Sequence, residues 1–214
     1  MPWEKQGDEI VHSDGRRHRL LPFEGWHLAP TRVAYKMGES HVRFTDFAIL
    51  LHNVRMGEGV ICSMRRLLDG TGPLVTHKKG ASAEAENLLE ELRKKEFPKR
   101  PSRLACHFLG LEKEVAEYWL HHMFGGHRLL TRCYIVEDHG PIHLGDAGLY
   151  EKLENNPANV DLARRYWAER FEPKTIHERR RAEVLSDNGL YFPDWQDFPV
   201  LDEQALRLWQ AEHL

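Results

Sequence analysis

The run HRLLTRCYIVE, residues 127–137, constrains the fold more than any other stretch of the chain. Its apolar side chains fall at both parities: Leu129, Leu130, Cys133, Tyr134, Ile135 and Val136. A strand that is apolar on both faces belongs inside a sheet, with cover on each side. The sequence supplies helices for that cover. SAEAENLLEELRKKEFP, residues 82–98, places Leu88, Leu89 and Leu92 in one stripe. Ser82 can cap it, Glu84 and Glu86 suit its first turn, and Pro98 stops it. LEKEVAEYWLHHMFGG, residues 111–126, sets Leu111, Val115 and Trp119 on one side of a second helix. Asp146 and Asn159 predict caps for two short helices, AGLYEKLEN and VDLARRYWAERF. TDFAILLHNVRMGEG (45–59) predicts an earlier helix and LDEQALRLWQAEH a closing one.

The remaining apolar runs read as strands. HRLLPFEGWHLAP (18–30) is broken by Pro22, Gly25 and Pro30, which predicts short strands and turns. RLACHFLG (103–110) predicts a strand, and EVLSDNGLYF a strand, a turn at Asp187, Asn188 and Gly189, and a second strand. Strands and helices interleave without a regular βαβ alternation, so the expected class is α+β. The 214 residues, 41% of them hydrophobic, are enough for one sizeable core. The expected organisation is a flexible polar arm over residues 1–19 and a single domain over 20–214.

Charge is uneven although the net value is only -3. Residues 93–103, RKKEFPKRPSR, hold six basic side chains and one acid, while residues 183–214 hold seven acids and one arginine. These two segments can pair with each other. Cys62, Cys106 and Cys133 lie in separate apolar runs, which suggests buried reduced thiols rather than a disulfide framework. No apolar run approaches the roughly 20 residues of a membrane span, and the first residues lack the apolar stretch of a signal peptide. The chain is therefore expected to be cytoplasmic, with no membrane partner.

No Walker loop and no G-x-G-x-x-G is present. The histidine-rich stretches HHMFGGH and HGPIH lack a metal-ligand spacing, so no metal is expected. IHERRRAEVLSDNGLYF, residues 176–192, raises a sharper question: three arginines lead into a lone glutamate that opens an apolar run. A solvated, salt-bridged start to a strand accounts for it, with Glu183 outside the core.

A second account comes from the order of segments. A helix leads to a Pro-Ser-Arg turn, a strand, a helix carrying AEYW, the strand TRCYIVED, then GDAGLY, ARRYW and AEVL. This order over residues 82–192 resembles small bacterial and phage proteins of the ADP-ribosyltransferase superfamily, including toxin-like members. The resemblance implies a split, mixed β-sheet core, flanked by helices, that grips NAD as a substrate and needs no metal. It implies a catalytic Glu183 and NAD-binding roles for His27, with His18 and Arg19 as alternates, for Ser102 and Arg103 of the PSR turn, and for Tyr118. No acid stands two residues before Glu183, where Arg181 is found, so the arginine-modifying branch is disfavoured. The implied reaction transfers ADP-ribose to a protein or nucleic acid and releases nicotinamide, with hydrolysis as its variant. A toxin-like enzyme implies an inhibitory partner protein. In this reading Arg179–Arg181 favour the ionised form of a nearby Glu183 or meet the NAD diphosphate. The competing reading is a non-catalytic nucleic-acid-binding or protein-interaction module that uses basic segments 93–103 and 164–181.

Overall fold

The computed structural model describes residues 2–30, 34–35, 42–43, 46–63, 79–122, 128–198 and 200. The strands in chain order are β1 (Trp3–Gln6), β2 (Glu9–His12), β3 (Arg17–Pro30), β4 (Ala34–Tyr35), β5 (Val42–Arg43), β6 (Val60–Ile61), β7 (His107–Gly110), β8 (Arg128–Val136), β9 (Ile142–Asp146), β10 (Ala182–Ser186) and β11 (Leu190–Tyr191). The helices are α1 (Asp46–Met56), α2 (Ala81–Glu96), α3 (Lys113–His122), α4 (Ala147–Asn155), α5 (Val160–Ala168) and α6 (Ile176–Arg179), with a 3-10 turn at Trp195–Asp197. The chain is therefore α+β, as its apolar pattern requires.

Seven strands follow one another in the order β6-β11-β8-β3-β7-β10-β9, with β1 and β2 attached through β3. Every described pairing in the sheet is antiparallel. β8 lies between β11 and β3, which explains its two apolar faces. β10 lies between β7 and β9 and is buried along its whole length. Val184 packs into a core cluster with Leu109, Cys133, Ile135 and Phe192. Leu185 packs into a second cluster, with Leu89, Leu149, Tyr166 and Trp167 from α2, α4 and α5. Glu183 has the parity of Leu185, which turns it toward the helices.

Several local expectations need correction. Residues 18–30 form one long strand rather than several short ones. Its register shifts between Leu20 and Glu24, around Pro22, because proline has no N–H to give to a ladder. Residues 103–106 form a turn, and only His107–Gly110 is strand. α2 begins at Ala81 after Gly80, which has a positive φ of 58°, and no side chain caps it, so Ser82 is not the cap. The expected caps of α4 and α5 are present: Asp146 accepts from Gly148 N and Asn159 from Leu162 N. β10 and β11 are not paired with each other; the turn between them carries the chain from one side of the sheet to the other.

The N-terminal segment expected to be a flexible arm is instead a β-hairpin. Trp3 and Ile10 are buried in a cluster with Leu20, Val136 and Tyr191. Polar outward positions of the hairpin mask this two-residue apolar payload in the sequence. The closing helix expected over LDEQALRLWQAEH lies outside the described residues. Cys106 and Cys133 are buried, whereas Cys62 is exposed. Among the described residues no helix is long and apolar enough to cross a membrane.

Candidate functional site

Arg103 is the centre of the most concentrated polar cluster in the described protein. The turn before β7 aims its guanidinium under α2, α4 and α5, where the residue is only 8% exposed. Its Nε donates to Glu86 Oε2 of α2 at 3.1 Å, and its terminal nitrogens donate to Glu86 Oε1, to Glu183 Oε1 of β10 and to the Tyr166 hydroxyl of α5. The Tyr166 hydroxyl in turn donates to Glu183 Oε1 at 2.5 Å. Arg, Tyr and Glu thus close a triangle of hydrogen bonds around one carboxylate oxygen. Aromatic rings enclose it: the guanidinium carbon lies 4.4 Å from the Tyr150 ring centre, 5.0 Å from Phe108 and 5.2 Å from Tyr166.

Burial works against the charge of Arg103, but Glu183, Tyr166 and Glu86 together outweigh it and hold the guanidinium well above its usual range. Burial pushes the Tyr166 phenol well up, and the neighbouring Glu183 adds to that, so it remains a neutral donor. Burial and Glu86 also raise the Tyr150 phenol. Cys106, two residues before Phe108, has its thiol pushed well up by burial. It is no activated nucleophile.

A second arrangement repeats one turn along α2. Ser102 Oγ donates to Glu90 Oε2 at 2.9 Å, and Arg93 forks onto both Glu90 oxygens at 2.8 Å. Glu86 and Glu90 therefore read successive residues of the PSR turn, Arg103 and Ser102. Burial opposes ionisation of Glu90, yet its bonds from Arg93 and Ser102 prevail and hold its carboxyl below the usual value.

The residues suggested by the sequence separate into groups. Arg103 and Glu183 come together. Ser102 is adjacent in sequence but bonds to Glu90 instead. Tyr118 lies on α3, where its ring stacks on His122 at 4.0 Å and beneath Arg180 at 4.6 Å. For His27 the structure describes the backbone: it pairs with Leu109, and Leu109 pairs with Val184, one residue beyond Glu183. His18 and Arg19 lie in the first half of β3, where they face β2 in register. Glu183 itself is 5% exposed, so the expected solvated carboxylate outside the core is corrected. Its cation is also different from the one expected. Arg179 pairs with Glu112 at 3.6 Å and Arg181 with Asp146 at 3.4 Å, while Arg103, 80 residues away, reaches Glu183.

The sequence reading does not single out Glu86, Glu90 or Tyr166 for the cluster. One signal was present: Glu86 and Glu90 fall beside Leu89 and Leu92, on the stripe of α2 that turns inward. An acid on an apolar stripe needs a buried cation. The Tyr-Trp pair of ARRYW follows the same logic, with Tyr166 and Trp167 both buried and Trp167 Nε1 donating to Leu89 O at 2.9 Å.

Fold and site together define an α+β protein whose antiparallel sheet carries a buried arginine–glutamate–tyrosine cluster on its helix-covered face. The chain belongs to the family described as Protein of unknown function (DUF2441), which matches residues 60–184. That range holds all four hydrogen-bonded members of the cluster, Glu86, Arg103, Tyr166 and Glu183. No curated protein matches the chain.

Proposed function

We propose that the protein is an NAD-dependent ADP-ribosyltransferase in which Glu183 is the catalytic carboxylate. The observation that carries the reading is that Glu183, near the start of the interior strand β10, has one oxygen fixed by both Arg103 and Tyr166. A carboxylate locked in orientation by neighbouring side chains is preorganised, which is what stabilising a short-lived cation requires. In the reaction the bond between ribose C1′ and the nicotinamide nitrogen breaks, and nicotinamide leaves as a neutral molecule with the electron pair. The acceptor atom of a protein or nucleic acid, or of water in the hydrolytic variant, bonds to C1′ and gives up its proton to the Glu183 carboxylate, which passes it to solvent. Glu183 faces the positive charge that develops on the ribose, as a carboxylate does in glycoside cleavage. Arg103 and Tyr166 act through Glu183 as positioning residues. A split-sheet core of the ADP-ribosyltransferase type, NAD binding, and an inhibitory partner of a toxin-like enzyme belong to this same proposal.

The second reading is a non-catalytic interaction module, and the near-complete burial of Glu183 favours it. A buried carboxylate can serve simply to neutralise Arg103. The nucleic-acid form of this reading is weakened by the pairing of the basic segments with acids of the same chain. Arg164 bonds to Glu96 and Asp161, Arg165 to Glu169 and Arg170 to Glu172. Cations already neutralised in this way release fewer counterions on binding a polyanion.

The deciding experiment follows nicotinamide release from NAD by wild type, Glu183→Gln and Glu86→Gln. Both variants remove one carboxylate from Arg103, and each should cost about 3–5 kcal/mol of stability, the loss seen when one partner of a buried pair is removed. Only Glu183→Gln should lower turnover on the order of 10²-fold or more while NAD still binds. Assays are run well below both unfolding transitions. Equal turnover losses in the two variants would make the role of Glu183 structural. Absence of nicotinamide release by wild type would favour the interaction module.

A further inference from the structure

We propose that Arg180, seated on Tyr118, is a phosphate-binding side chain that takes the diphosphate of a dinucleotide substrate. The inference rests on the NAD reading for the identity of that substrate. The three consecutive arginines before β10 differ in what they meet. Arg179 has Glu112 and Arg181 has Asp146. Arg180 has no carboxylate partner among the described residues, which sets it apart from its two neighbours; its buried Nε, like that of Arg179, finds no hydrogen-bond acceptor there. The acids nearest in sequence are engaged elsewhere: Glu178 accepts from the backbone N–H groups of Lys174 and Thr175 in the capping box of α6.

Arg180 is nonetheless held in place. Its guanidinium lies over the Tyr118 ring at 4.6 Å, and the ring is stacked at 4.0 Å on His122. The Trp119 indole N–H donates to the Arg180 carbonyl, which ties the backbone to α3. Stacking uses the flat face of a guanidinium and leaves its in-plane N–H fork for a ligand. A planar fork on a fixed backbone suits a phosphate, which it can meet with two parallel hydrogen bonds. Glu183 follows Arg180 by three positions, so their backbones lie within about 11 Å of each other. A dinucleotide with its reacting ribose at Glu183 would carry its diphosphate into the same neighbourhood.

The test is a titration of inorganic pyrophosphate and of ADP-ribose into wild type, Arg180→Gln, Arg180→Lys and Arg170→Gln. The neighbouring Trp119 supplies a fluorescence signal, and thermal unfolding confirms that each variant is folded. Arg180→Gln should weaken both probes about tenfold or more, the loss expected for one charge-assisted contact. Arg180→Lys should fall between it and wild type because it keeps the charge but loses the fork. Arg170→Gln, which alters an exposed arginine paired with Glu172, should bind as wild type does. Unchanged affinity in Arg180→Gln, or an equal loss in Arg170→Gln, would overturn the assignment. Arg180-dependent binding of pyrophosphate but not of ADP-ribose would also overturn it, since the site would then serve free phosphate ions. Neither binding readout requires turnover. An enzyme that releases nicotinamide with unaltered probe binding in Arg180→Gln would sink this inference and leave the NAD reading intact, whereas a protein without turnover that binds pyrophosphate and ADP-ribose through Arg180 would do the reverse.

Discussion

Two histidines record how deeply the polar residues of this protein are placed. His107 donates to Cys62 O at 3.3 Å and His143 to Tyr166 O at 3.0 Å, each through Nε2 because a carbonyl can only accept. Burial lowers both rings from 6.5 to about 4. In the unfolded chain they take up protons near pH 6.5, while in the folded chain they resist until about pH 4. The unfolded state therefore binds more protons between those values, and stability falls as the pH drops through that window. It is fully present above pH 6.5. Each ring accounts for at most about 3 kcal/mol of the loss across the whole window. Urea unfolding at pH 7, 6 and 5 should show the loss, and His143→Gln, which keeps a donor for Tyr166 O but cannot charge, should remove a large part of it. A slope unchanged by His143→Gln would place the titration elsewhere.

At the scale of elements, the distance between α5 and the sheet sets the geometry of the cluster. Gly145 on β9 pairs with Glu183 on β10. A Cβ added to Gly145 would come within 2.7 Å of the Tyr166 hydroxyl oxygen and 2.9 Å of its ring. The glycine is there for close approach, since it lets the α5 tyrosine lie over β9 and reach the neighbouring strand. Gly145→Ala should push Tyr166 off Glu183 and destabilise the fold by about 1–3 kcal/mol, the usual cost of overpacking a filled core. Denaturant unfolding of Gly145→Ala measures this, and an unchanged midpoint would mean that α5 shifts freely. The GD of HLGDAGLY thus combines a packing glycine with the cap of α4, two local demands that the sequence states side by side.

At the scale of the whole molecule, the N-terminal hairpin is a structural part of the sheet. Trp3 and Ile10 close the apolar cluster around Leu20, Val136 and Tyr191. Removing residues 1–16 strips away two large buried side chains, worth about 3–5 kcal/mol together. For a chain of this size that corresponds to a fall of roughly 10 °C in melting temperature. Differential scanning calorimetry of the truncated protein checks it, and an unaltered transition would restore the flexible-arm picture.

The sequence by itself determined the α+β class, the interior position of HRLLTRCYIVE, the caps at Asp146 and Asn159, and the candidacy of Arg103 and Glu183. Those are local matters: an apolar period, a capping side chain, a residue type out of keeping with its neighbours. It could not determine that Arg103 rather than Arg179–Arg181 would face Glu183, because nearness along the chain favours the wrong arginines. Arg179 and Arg181 flank the strand but find Glu112 and Asp146, while a turn 80 residues earlier delivers Arg103 under the helices. Nor could it place Trp3 and Ile10, whose burial depends on pairing with a strand that begins at Arg17. Which charges meet inside a protein is decided by long-range strand order and by the cost of leaving any buried charge alone, and only the tertiary structure holds that information.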